Sequence, residues 1–170
     1  KVHSEVIRHG RAGRDIILIG HEGHPEVEGT LGRHNEKYGT RIYLVQDESD
    51  ALSLNVNDPD NLAYVTQTTL SLDDTAEIIN ILNNRFPNLY KPKSKDICYA
   101  TQNRQDAVKQ IALEVEMLIV IGSTNSSNSN RLKELAERCN IESVLIDNAD
   151  DIDWEYIDKF NSIGITAGAS

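Results

Sequence analysis

Seven short runs of aliphatic and β-branched residues, with helical patterns between them, predict an α/β protein built on mostly parallel sheets. Each run is four or five residues long and reads as a strand covered on both faces. Each half of the chain also repeats one phrase, a strand that stops in a polar, Gly- or Ser-rich turn before a helix. Together these observations predict two similar small α/β domains, residues 1–90 and 91–170.

The first run, Ile16-Ile-Leu-Ile19, ends in Gly20-His-Glu-Gly-His-Pro-Glu-Val-Glu-Gly-Thr30. Ligands of open parallel sheets bind beyond the carboxyl ends of strands, which makes this turn a candidate site. Its glycines allow close backbone approach to a ligand, and Pro25 suits the first position of a helix. His24 and Glu26 then sit at a helix start, beside backbone N–H groups that attract an anion. Two other readings stand beside that one: a plain turn with solvated histidines, and a zinc site from His21, His24 and Glu26. The zinc reading lacks the i, i+4 histidine pair of the common zinc hydrolases. Runs over 41–45 and 62–66 follow, the second passing into Thr66-Gln-Thr-Thr-Leu-Ser71, with hydroxyls at another strand end. Ser71 and the acidic pair Asp73 and Asp74 open a helix over 71–86, carried by Ile78, Ile81, Leu82 and Phe86 and closed by Pro87.

Pro87-Asn-Leu-Tyr-Lys-Pro-Lys-Ser-Lys95 holds two of the four prolines and marks the domain boundary. Asp96-Ile-Cys-Tyr-Ala100 reads as a strand, which places Cys98 within it or just at its end. A lone buried cysteine is most often a small core hydrophobe; beside the polar Thr101-Gln-Asn-Arg-Gln105 it is also a candidate metal or cluster ligand. A helix is predicted over 105–114, then a strand over Met117–Ile121 that stops at Gly122-Ser-Thr-Asn-Ser-Ser-Asn-Ser-Asn130. Eight consecutive side chains of that turn carry a hydroxyl or an amide, where a helix start uses one or two as caps. The surplus donors suit a phosphate or diphosphate; the alternative is a flexible polar loop. The Gly-Lys-Ser/Thr ending of a Walker loop is absent. A helix over 131–139 ends on Cys139, a core or surface thiol with no C-x-x-C partner. Strands over 143–146 and 162–166 complete the alternation. The last segment, Gly164-Ile-Thr-Ala-Gly-Ala-Ser170, has small residues that permit close backbone approach, with one more hydroxyl on Ser170.

Composition narrows the function. With 17 Lys+Arg against 27 Asp+Glu the net charge is −10, an acidic balance that argues against nucleic acid as a partner. The charge is spread evenly, −6 over residues 1–90 (8 basic, 14 acidic) and −4 over 91–170 (9 basic, 13 acidic). No apolar run is long enough for a membrane span. Two cysteines in 170 residues make no disulfide scaffold, so a reducing compartment is the default. A chain of this length buries about 70 % of its unfolded surface, enough for one ordinary core or two small ones. The lack of an initiator Met, and an end on Ala169-Ser170 without a charged tail, are the marks of a processed chain or of a piece of something larger.

Five of these segments carry a resemblance. Ile19-Gly-His-Glu-Gly-His-Pro-Glu-Val-Glu-Gly-Thr, Thr66-Gln-Thr-Thr-Leu-Ser, Ile97-Cys-Tyr-Ala-Thr-Gln-Asn-Arg-Gln, Val120-Ile-Gly-Ser-Thr-Asn-Ser-Ser-Asn-Ser-Asn-Arg-Leu and Gly164-Ile-Thr-Ala-Gly-Ala-Ser follow in family-like order and spacing. Together they resemble the 4-hydroxy-3-methylbut-2-enyl diphosphate reductases, the iron–sulfur enzymes of the last step of the methylerythritol phosphate route to isoprenoids. The resemblance covers essentially the whole chain. It implies reductive dehydroxylation of that diphosphate to isopentenyl and dimethylallyl diphosphate. It also implies a 4Fe-4S cluster, ferredoxin or flavodoxin as electron donor, and a bacterial cytoplasm, with a plastid origin left open.

The family fold has three similar α/β domains around the cluster, and the resemblance makes this chain the second and third. Carried over residue by residue, Cys98 matches one of three cysteine ligands. His24, Ser126, Asn128 and Ser170 match diphosphate-binding positions, with Ser127 beside them. Glu26 matches the carboxylate that supplies protons to the departing hydroxyl, and Thr68 the hydroxyl that holds the substrate and relays protons. Two further cluster cysteines and two diphosphate histidines of the family's first domain have no counterpart, and the chain stops before the family's C-terminal segment. Two other classes stay open: a catalytically silent diphosphate-binding fragment that needs the missing domain, and a metal-dependent hydrolase on His21, His24 and Glu26.

Overall fold

The computed structural model describes residues 2–92 and 97–168. The chain divides into two compact units, Lys1–Ile97 and Cys98–Ser170. The first runs α1 (Val2–Arg11), β1 (Asp15–Ile19), α2 (Pro25–Leu31), β2 (Ile42–Val45), α3 (Glu48–Ser53), β3 (Leu62–Thr66), α4 (Leu72–Arg85). The second runs α5 (Tyr99–Ile111), β4 (Met117–Ile121), α6 (Ser127–Arg138), β5 (Glu142–Ile146), α7 (Trp154–Ile157), β6 (Ile163–Ala167). Each unit carries one three-stranded parallel sheet, in the order β2-β1-β3 or β5-β4-β6. The first strand of each unit is therefore central, and its third strand returns to the other side. Such a reversal of strand order opens a crevice at the carboxyl ends of the first and third strands.

Alternation along the central strands sets the two layers of each unit. Ile17 and Ile19 of β1 join a cluster with Leu62, Tyr64, Ile78, Leu82 and Phe86, on the side of α3 and α4. Ile16 and Leu18 point the other way, to Val2 and Val6 of α1 and Val27 of α2. In the second unit Leu118 and Val120 meet Val108, Leu132, Leu135 and Ala136 of α5 and α6. Met117 and Ile119 meet Ile146 and Ile157 on the opposite face. All four aliphatic residues of β1 are fully buried, each contributing about 1.5–3 kcal/mol over an exposed position. Burial on both faces is what makes such a strand a continuous apolar run.

Six of the seven predicted strands lie within a residue of their observed bounds. The seventh is a correction: Cys98 is not in or at the end of a strand but is the N-cap of α5, which begins at Tyr99 rather than 105. The inward positions of α5 are Thr101, Gln105 and Val108, at helical spacing. Two of those three are polar, so hydropathy alone misses the period. α6 likewise starts at Ser127 instead of 131, because its first turn buries Asn128 and Ser129. No described helix is long and apolar enough to cross a membrane.

Candidate active site

In the first unit the crevice is built by the turns that follow β1 and β3. Ile19 pairs with Thr66 at the strand ends, so the residues after each emerge side by side. Gly20 is required there by space, since a Cβ on it would lie 2.6 Å from Val27 Cγ2 and 3.1 Å from Gln67 Oε1. Gly23 adopts φ 75°, a left-handed conformation that only glycine takes without strain. The turn delivers His24 to the N-cap of α2, with Pro25 in the first turn as expected, and His24 Nδ1 accepts from the Glu26 backbone N–H at 3.1 Å.

Glu26 then reaches across to β3. The Thr68 backbone N–H lies 3.1 Å from both carboxylate oxygens, and Thr68 Oγ1 donates to Oε2 at 3.0 Å. Both residues are half-buried. One N–H shared between the two oxygens and one O–H set the carboxylate's orientation, and the hydroxyl–carboxylate contact offers a path along which a proton can pass. Beneath them Gln67, 1 % exposed, accepts from the His21 N–H through Oε1 (3.1 Å) and donates through Nε2 to Thr69 Oγ1 (3.1 Å). Sequence reasoning passed over Gln67; its one signal was its place in the strand-end run Thr66-Gln-Thr-Thr. His21 is exposed. The zinc arrangement of His21, His24 and Glu26 does not fit this geometry, because Glu26 is turned to Thr68 and His24 uses Nδ1 as a cap. Among the described residues no group of three or more His, Cys, Asp or Glu side chains is gathered for a metal.

The second unit repeats the plan. β4 stops at Ile121, Ser126 caps α6 by accepting from the Ser129 N–H at 3.3 Å, and Asn130 Nδ2 donates back to Thr124 O (2.7 Å) and Ser126 O (3.0 Å). The polar run is thus an ordered turn and helix start rather than a loose loop. Asn128 is 3 % and Ser129 1 % exposed, yet among the described residues Asn128 Oδ1, Asn128 Nδ2 and Ser129 Oγ have no hydrogen-bond partner. A buried polar group left unpaired costs about 1–3 kcal/mol, and two of these atoms at the helix N-terminus, Asn128 Nδ2 and Ser129 Oγ, are donors that can serve an anion. Ser126 and Ser127 are half-buried beside them. Ser170 lies outside the described residues.

Cys98 is exposed, and its side chain makes no capping bond to α5. An accessible cysteine sulfur is a ligand type for iron–sulfur clusters. It fits one corner of an iron–sulfur cluster, as a single ligand. Cys139, also exposed, is the C-cap of α6.

Fold and strand ends together define a doubled parallel α/β protein whose polar side chains gather at the switch point of each unit. The chain belongs to the LytB protein family, whose model matches residues 1–170. It is 60 % identical over 170 residues to a 4-hydroxy-3-methylbut-2-enyl diphosphate reductase of Ectopseudomonas mendocina, covering 100 % of this chain and 54 % of that protein. It is 61 % identical over the same length to the reductase of that name from Pseudomonas putida, again 54 % of the relative. Among solved structures, the E-1-hydroxy-2-methyl-but-2-enyl-4-diphosphate reductase from Plasmodium falciparum superposes with a TM-score of 0.90 at 38 % identity, over 99 % of this chain and 52 % of that one. The chain thus spans about half the length of the curated relatives it matches.

Proposed function

We propose that this chain supplies the proton-handling and diphosphate-holding part of a 4-hydroxy-3-methylbut-2-enyl diphosphate reductase. The observation that carries this reading is the Glu26–Thr68 pair, a carboxylate and a hydroxyl 3.0 Å apart across the ends of β1 and β3. His24, Ser126, Ser127, Asn128 and Ser170 are the residues we assign to the diphosphate. The α6 N-terminus offers backbone N–H groups and the unpartnered Asn128 amide to its oxygens. Thr68 holds the substrate hydroxyl, and Glu26 delivers a proton through it so that the oxygen departs as water. The net change breaks one C–O bond with two electrons and two protons and yields isopentenyl or dimethylallyl diphosphate. A 4Fe-4S cluster, when bound, passes those electrons on from ferredoxin or flavodoxin and offers a Lewis-acidic iron to the hydroxyl. Cys98 provides one of its thiolates. We place the reaction in a bacterial cytoplasm, as for the bacterial relatives.

A second reading is favoured by the single ligand thiol. Alone, the 170-residue chain is a diphosphate-binding module without turnover. Both readings meet in one experiment: a complete reductase made by replacing the matching segment of the Ectopseudomonas mendocina protein with this chain, compared with the chain alone, each reconstituted anaerobically with iron and sulfide. The complete protein should hold a cluster by EPR and consume substrate; the chain alone should do neither. In the complete protein Glu26→Gln should lower kcat by about 10²-fold or more while cluster content stays within about twofold. Equal loss of turnover and cluster would remove the proton role from Glu26, and turnover by the chain alone would refute the module reading.

A further inference from the structure

Arg104 lies in the Ile97–Gln105 segment with no role assigned to it above, yet it bonds both to the first turn of α5 and to the end of β6. Its Nε–H donates to Ala167 O at 3.0 Å and its Nη1–H donates to Ala100 O at 3.1 Å. Ala100 lies in the first turn of α5, two residues past Cys98. Ala167 ends β6, and the next residue, Gly168, donates its N–H to Ile121 O at 2.9 Å. Gly168 is pressed onto α6: a Cβ there would lie 1.9 Å from Ser129 Oγ and 3.1 Å from Ser129 Cα. One guanidinium therefore joins the turn that carries Cys98 to the strand end that abuts the buried, unpartnered Ser129 hydroxyl, one residue past Asn128.

Helix formation does not account for this geometry. In an α-helix the Ala100 carbonyl already has its backbone partner four residues on. Among the described residues Arg104 pairs with no carboxylate, and its guanidinium donates to main-chain carbonyls of two different elements. A planar fork holds its donors in fixed directions toward two such carbonyls, whereas a lysine ammonium is one compact point charge on a flexible stem.

We propose that Arg104 is a positioning residue that couples the Cys98 thiolate to the anion-facing start of α6, a role that rests on the reductase reading above. It sets where the thiolate stands relative to the bound diphosphate, and it transmits occupancy of one to the other. The link is mutual, since a coupling between two bound groups acts equally in both directions.

The test uses the complete reductase described above, with Arg104→Met, Arg104→Lys and Arg104→Gln. Four quantities are read: thermal midpoint, iron content, KM against kcat, and the change in the cluster EPR spectrum on adding inorganic diphosphate. Arg104→Met should keep iron content within about twofold, raise KM about tenfold, and abolish the spectral response to diphosphate. Arg104→Lys should recover only part of that response. The proposal is overturned if Arg104→Met leaves KM and the spectral response unchanged. It is equally overturned if activity falls only in step with thermal midpoint and iron content while the remaining cluster responds as before, a purely structural effect. Should Arg104→Met not fold, Arg104→Gln and Arg104→Lys are judged by the same two results. Failure of the parent reading looks different: Cys98→Ser would then keep its cluster, or the unsubstituted protein would hold none, and this proposal would fall with it.

Discussion

Glu26 and His9 show how one side chain's surroundings decide its chemistry. Glu26 is held by an N–H and an O–H of a single residue, Thr68, 42 positions along the chain. His9 is held by burial instead: it is 2 % exposed on the inner face of α1, and Arg8 Nη2 lies 3.1 Å from its Nε2. The guanidinium donates, so the imidazole is neutral with its hydrogen on Nδ1, which has no partner among the described residues. Desolvation by burial, and after it the charge of Arg8, lowers the His9 pKa from 6.5; Glu5 pulls it upward and Arg14 adds to the lowering. The unfolded chain therefore takes up a proton near its ordinary value while the folded chain does so only at lower pH. Unfolding is proton-consuming in that window, and stability falls as pH drops below about 6.5 towards the folded value. His9→Gln should flatten the fall of thermal midpoint measured from about pH 8 to about pH 5; an unchanged slope would assign the acid sensitivity to another group. His24, Glu26 and Thr68 were legible as candidates because a strand end, a proline and a cap announce a helix start. Their pairing was not, and neither was Gln67, since a buried glutamine looks like any polar loop residue in a linear sequence.

At the scale of elements, α2, α4 and α6 are among the helices that follow strands and begin with a side-chain cap. His24, Ser71 and Ser126 accept from the N–H groups of Glu26, Asp74 and Ser129, at 3.1, 3.3 and 3.3 Å. Among the described residues only the Ser126 cap shares its turn with unpartnered buried groups. Removing a cap costs about 1 kcal/mol wherever it lies, so stability and binding should separate. Ser71→Ala should lower the unfolding free energy of the first unit by about that amount and leave substrate KM in the complete reductase unchanged. Ser126→Ala should cost a similar amount in the second unit and also raise KM. Urea unfolding beside steady-state kinetics checks both; a KM effect of equal size in the two variants would argue against a special α6 start. Ser71 was readable because its helix continues with aliphatic residues at helical spacing. α5 was not, because Thr101 and Gln105 fill inward positions that hydropathy assigns to the surface.

Over the whole molecule, each of the four hydrophobic clusters draws its side chains from one unit. The single tryptophan, Trp154, is 64 % exposed in the second unit and reports on that unit when it unfolds. Leu82 and Leu118, both fully buried, belong to different clusters. Each change to Ala should cost about 2–5 kcal/mol. Leu118→Ala should move the urea transition seen by Trp154 fluorescence, while Leu82→Ala should move a far-UV circular dichroism transition and leave the fluorescence transition in place. Coincident shifts by both probes would show one cooperative core instead of two.

The alternation of strands and helices, the cap at Ser71 and the helix start at Pro25 were determined by the sequence alone, because burial period and capping act over neighbouring residues. The contacts that give those residues a task were decided by tertiary structure. Glu26 meets Thr68 only because β3 lies beside β1 and not beside β2, and Arg104 meets Ala167, 63 residues away, only because β6 returns next to β4. Strand order is a property of how layers pack, and no periodicity along the chain encodes it. The same packing buries Asn128 without a partner, turning one polar residue among eight into a candidate for the diphosphate.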